Sequence, residues 1–322
     1  MSTRKFIQYT AVLGSVLTVL GFGTATAAHV HGGRWSQMQI WRENIYPRKH
    51  HASIPAGADK GRLVEEGVKS FPCRPEFSVD VDFGSLTLRT GESDRILVYC
   101  RDMAGFDSTV WAYADKDEVK IEVVGKKLEN WKPEIEVVVP SDYVFEETAI
   151  QLGGGHCTIQ GLNAMEFSGE TAAGELYIDT SNAANAKFYC AAGSISYYGK
   201  VLGDVELECA AGNISYTGEI LGNVDAQCAA GNIYLEVLGK EEDFDYEVSG
   251  TGGNIKIGSR TYSGMMFEEE KPHGASREMD LECAAGSIEV QFKESGLEAQ
   301  TMPETDTAVE ELPMREAEMT DE

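Results

Sequence analysis

The segment Val205-Glu-Leu-Glu-Cys-Ala-Ala-Gly-Asn-Ile-Ser-Tyr216 decides the fold. Val205, Leu207 and Cys209 alternate with Glu206 and Glu208, and beyond Gly212 the apolar Ile214 and Tyr216 flank Ser215. A period of two marks strands with one apolar side, so the segment reads as two short strands joined at Ala-Ala-Gly. The string Cys-Ala-Ala-Gly opens at Cys190, Cys209, Cys228 and Cys283, and the first three are nineteen residues apart. One further step back lands on Thr171-Ala-Ala-Gly174. Such a repeat is the signature of a stacked architecture.

A two-strand unit cannot bury its apolar side alone, but it can when copies stack. In-register parallel stacking, at about 4.8 Å per rung, turns equivalent residues into ladders. The expected ladders are Cys190, Cys209, Cys228 and Cys283; Ile195, Ile214, Ile233 and Ile288; and Tyr197, Tyr216 and Leu235. Gly193, Gly212, Gly231 and Gly286 are expected to supply a left-handed backbone at each corner. His156-Cys157-Thr158-Ile159 reads as a degenerate first copy, and Gly253-Asn254-Ile255 as one with Gly250 at the cysteine position. The fold class is therefore all-β: a parallel β-solenoid of about 19 residues per rung, with an N-terminal β capping region and an N-terminal transmembrane or signal segment.

The ladder explains most of the cysteines. They fall in the inward phase, where a thiol acts as a small buried hydrophobe, and parallel Cβ vectors give poor disulfide geometry. Cys73 and Cys100 lie outside the ladder and are free to pair with each other.

Around the repeats, the 322 residues divide as follows. Arg4 and Lys5 precede an uncharged stretch to Ala28. Residues 1–28 read as a transmembrane anchor, or as a signal peptide with Ala25 and Ala27 at its cleavage site. Both put the remainder outside the cytoplasm. Residues 29–70 read as a linker with a short helix near Lys60–Lys69. His29, His31, His50 and His51 fall in it, without a supporting shell for a metal. Residues 71–150 carry longer strands, at 77–83, 96–99, 119–124 and 135–139, expected to cap the stack. Residues 151–293 are the solenoid, interrupted by a loop at 258–278 that holds Tyr262, Met265, Met266 and Phe267 as candidate binding residues. Cys283 to Phe292 is expected to close the stack. Residues 294–322, with ten acidic side chains against Arg315, read as a disordered tail.

The run Glu134-Ile-Glu-Val-Val-Val-Pro140-Ser-Asp-Tyr-Val-Phe145, followed by Ile150-Gln-Leu-Gly-Gly-Gly155, resembles the midpoint of the DUF4097 family of candidate adhesins. There an alternating strand ends in a Pro-containing turn and leads into glycine-x-isoleucine rungs. Phe77–Leu88 is similar too, and the likeness spans roughly residues 70 to 293. The resemblance implies an envelope-associated, non-catalytic role and carries over no catalytic motif.

Net charge is −26, which excludes nucleic acid and disfavours anionic lipid surfaces. The sequence holds no G-x-S-x-G, H-E-x-x-H or P-loop string, and no G-G-x-G-x-D calcium repeat. Glu206, Glu208 and Asp225 occupy outward strand positions, as a solvated face requires. The expectation is a non-enzymatic interaction or structural module at the cell surface, without cofactor or metal. Its partner would be a surface polymer or an envelope protein, with membrane contact through the N-terminal segment only. A regulatory module of an envelope-stress system is the second reading, and a polysaccharide-active β-helix enzyme a distant third.

Overall fold

The computed structural model describes residues 59–63, 67–101, 109–124 and 134–293. The anchor or signal segment, the four linker histidines and the acidic tail lie outside them. Among the described residues every regular element is a strand except one 3-10 turn at Glu241–Asp243.

Parallel pairing stacks the chain into two-strand rungs with a first face and a second face. The central rungs follow chain order: Val144–Leu152 with Gly155–Gln160, then Asn163–Thr171. Glu175–Cys190 is one long strand serving the second face of one rung and the first face of the next, with a register shift between Asp179 and Ser181. Next come Ser194–Val201, Val205–Cys209 with Asn213–Ile220, and Val224–Cys228 with Asn232–Leu238.

At both ends chain order is broken. Glu76–Val81 with Gly84–Gly91 sits between the 144–160 rung and an outer rung made later in the chain, Glu118–Val124 with Glu134–Pro140. At the other end Arg277–Cys283 with Ser287–Lys293 slides between the 224–238 rung and the outer rung Phe244–Gly250 with Asn254–Ile257. The expectation that Cys283 to Phe292 closes the stack is thus overturned: that rung is last but one. Antiparallel strands finish each end. Thr109–Ala114 then Asp59–Leu63, and Arg95–Arg101 then Gly67–Pro72, cover one. Arg260–Ser263 and Phe267–Lys271 cover the other.

Two further expectations need correction. The described residues of the expected helix near 60–69, namely 60–63 and 67–69, are strand instead, since they supply edge strands whose backbone groups pair with the neighbouring strand. The block at 71–150 is not simply a cap, since it contributes full parallel rungs on both faces.

The inward phase is mainly apolar, with buried threonines at Thr148 and Thr171. Ile195, Ile214, Ile233 and Ile288 are buried and stand in register. Tyr197 and Tyr216 stack at 5.2 Å, and their hydroxyls donate to the carbonyls of Ser181 (2.9 Å) and Glu219 (3.0 Å). A buried phenol needs such a partner. Cys157 belongs to this second-face core, between Leu86 and Leu176, so the true corner of its rung is Leu152-Gly-Gly-Gly155.

Candidate functional site

The solenoid corner is the most specialised point of the inward phase. Thr171, Cys190, Cys209, Cys228, Cys283 and Gly250 occupy equivalent positions on successive rungs. All four ladder cysteines are buried and unoxidised. Neighbouring cysteines pair in register, Cys190 with Cys209, Cys209 with Cys228 and Cys228 with Cys283, so their thiols follow one another along the row. Thr171 stands at the equivalent position with oxygen, its Oγ1 accepting the Gly174 amide at 3.1 Å. The neighbours Cys190 and Cys228 lower the Cys209 pKa, whereas Cys209, together with burial, raises that of Cys190. Outside the row, burial alone pushes Cys157 up to about 12 and Cys100 to about 11. Cys73 and Cys100 are both free thiols rather than a pair.

The ladder glycines have a different reason from the one expected. Gly193, Gly212, Gly231 and Gly286 do not adopt left-handed φ values. A Cβ on Gly212 would stand 2.4 Å from Cys190 Sγ and 2.4 Å from the Gly193 carbonyl oxygen. Close approach of rung to rung, not backbone handedness, excludes a side chain there.

The outer side of the first face is acidic. Lys187, Glu206, Asp225, Asp280 and Glu247 form one column, and Tyr189, Glu208, Gln227 and Glu282 the next. A groove of about 410 Å³ runs across these rungs at the turns that lead into the first-face strands, lined by Glu166, Asn185, Asp204, Asn223 and Glu278 among others. These residues tie each rung to the next. Asn185 donates to Glu166 at 2.7 Å and accepts the Asp204 amide at 3.0 Å; Asp204 accepts the Asn223 amide at 2.8 Å. Lys187 pairs with Glu206 at 2.9 Å. Burial, then the charges of Glu206 and Asp225, pushes Glu208 up to about 7. Sequence reasoning placed Glu206, Glu208 and Asp225 on this face but missed the groove, although 166, 185, 204 and 223 share the nineteen-residue step.

The second face is instead rich in hydroxyls: Thr158, Tyr177, Ser196, Ser215 and Tyr234 form its outward column. Tyr177 and Tyr198 lie 5.5 Å apart there.

The expected binding loop splits in two. Tyr262 and Phe267 sit on the end strands and pack against the core, Phe267 directly over Gly250. Met265 and Met266, 94% and 55% exposed, project from the tip between them.

The chain matches the Toastrack DUF4097 family over residues 108–290, more than half its length. The chain belongs to the DUF4097 family. Solved structures similar to it include a candidate cell-adhesion protein of Clostridium sporogenes, with 11% identity, 71% of this chain and 100% of that one covered, and a TM-score of 0.32. Candidate adhesins of Bacteroides fragilis (12%, 71% and 99%, TM-score 0.33) and Parabacteroides distasonis (12%, 72% and 98%, TM-score 0.37) are also similar. No curated protein matches. The Toastrack match agrees with the family resemblance read from the sequence and with an all-β stacked fold.

Proposed function

We propose that this DUF4097 protein is a non-catalytic module of the bacterial cell envelope, held outside the cytoplasm by its N-terminal apolar segment. Its solenoid presents an interaction surface to a surface polymer or an envelope protein. The observation that carries this reading is the layout of the polar groups. Glu206, Glu208, Asp225 and Asp280 spread along one face at rung spacing, and the groove residues bond to the next rung's backbone. Glycoside hydrolysis, by contrast, needs two carboxyl groups facing each other across a bond to be cut. A rigid, repeating face suits recognition of an extended partner.

Envelope fractionation with N-terminal sequencing of the native protein tests the placement. Recovery in the membrane fraction with residues 1–28 intact supports an anchored module. A soluble extracytoplasmic form starting after Ala27 supports the secreted alternative, and a cytoplasmic pool refutes both.

A further inference from the structure

At one corner Thr171 places an oxygen that accepts the Gly174 amide, while Leu152 and Gly250 place no polar side chain at theirs. Four successive rungs use sulfur instead. In-register pairing sets the buried sulfurs of Cys190, Cys209, Cys228 and Cys283 in one row, soft donors at a fixed repeat. In-register parallel strands set equivalent atoms about 4.8 Å apart. A metal–thiolate bond of about 2.3 Å makes a linear S–metal–S unit about 4.6 Å long. The repeat therefore matches two-coordinate binding between adjacent rungs. A disulfide fits worse, since it needs Cβ atoms about 3.5–4.5 Å apart. Among the described residues no group of three or more His, Cys, Asp or Glu converges on a metal position, so a tetrahedral site is not what the row offers.

We propose that the Cys190–Cys209–Cys228–Cys283 row is a binding site for soft monovalent metal ions such as Cu(I), taken two sulfurs at a time. Thiolate ligands select such ions over harder ones. Each ion displaces two thiol protons and leaves a bis-thiolate of net charge −1, with no change of oxidation state. With each sulfur used once, the row takes two ions.

Ag(I), which has the same preference for linear thiolate coordination, is the probe. It is titrated under anaerobic conditions into full-length protein carrying Cys73→Ala, which removes the half-exposed thiol outside the row. The expected result is a sulfur-to-silver ultraviolet band that saturates at two ions per chain, together with a rise in melting temperature, because the ion binds the native state. Cys209→Ala leaves only the 228/283 pair adjacent, so saturation falls to one ion. Cys157→Ala, buried on the other face, leaves it at two. A missing band, a band unchanged by Cys209→Ala, or a fall in wild-type melting temperature on adding Ag(I) overturns the proposal. The melting readout needs no row variant, so a Cys209→Ala protein that fails to fold does not remove the test.

Discussion

Gly212→Ala probes the corner more sharply than any other single change. The added methyl would stand 2.4 Å from Cys190 Sγ and 2.4 Å from the Gly193 oxygen. Ordinary contact begins near 3.5 Å, so each neighbour must retreat by about 1 Å. Neither is free to do so. The Gly193 oxygen accepts the Asn213 amide at 3.0 Å, and Ala211 donates to the Ala191 oxygen at 2.7 Å beside it. Overpacking costs about 1–3 kcal/mol, and weakening these two bonds adds about 1 kcal/mol each. The sum, roughly 3–5 kcal/mol, lowers the melting temperature by roughly 6–20 °C for a domain of this size.

Circular dichroism melts of full-length protein measure it, with Cys190→Ala and the double variant completing a cycle. If the sulfur is one of the two obstacles, the double variant costs clearly less than the sum of the singles, by about 1 kcal/mol or more. A left-handed backbone requirement would give no such rescue. A Gly212→Ala melt within about 2 °C of wild type, or strict additivity in the cycle, would refute the close-approach account.

Ile214→Asp puts a carboxylate in a fully buried position and should cost at least about 4 kcal/mol, whereas Ser215→Asp, facing outward, should stay within about 0.5 kcal/mol; equal melts for the two would sink the rung phase. Glu208 is raised in the folded state, so its contribution is fully present below about pH 4.5 and is lost as pH rises through about 7. Glu208→Gln should flatten that part of the stability–pH curve and raise stability at pH 8 by roughly 2 kcal/mol; an unchanged slope between pH 4.5 and 7.5 contradicts the burial of its charge. At the capped end, Phe267→Ala should cost about 3 kcal/mol while Met265→Ala is neutral; the reverse ranking in urea unfolding would mean that the tip, not the aromatic, holds the end.

Much of the middle of the molecule was legible because its code is local. Alternation within Val205–Tyr216 and the nineteen-residue step place Cys209, Ile214 and Tyr216 inside and their neighbours outside, and the pairing register agrees residue for residue. What was not legible is non-local or steric. The order of the end rungs depends on which edge Arg277–Cys283 joins, and its Cys-Ala-Ala-Gly string fits the edge at 224–228 as well as a terminal place. The strands at 59–63 and 67–72 lack a clear period of their own and are shaped by the edges they cover. Gly212 illustrates a subtler failure. A glycine at a corner suggests positive φ, yet the clash that forbids a side chain comes from the rung before it, invisible until the stack is built.

The reversed order at both ends has a physical rationale of its own. A solenoid that simply stops exposes a row of unpaired N–H and C=O groups on each face, a template for edge-to-edge association. Here the chain passes to the outermost position first, at 244–257, then doubles back antiparallel through 260–263 and 267–271 before filling the place behind. The outer rung is thereby paired on both sides by segments directly following it in sequence. The new edge strand is Phe267-Glu-Glu-Glu-Lys271, whose three successive carboxylates repel an identical edge. The opposite end uses the same device in mirror order, with 118–124 and 134–140 outermost and antiparallel strands beyond them. Because Ser287–Lys293 pairs with both 232–238 and 254–257, it locks the cap to the repeats. Removing that final strand should therefore leave the cap without its partner while the central rungs keep theirs.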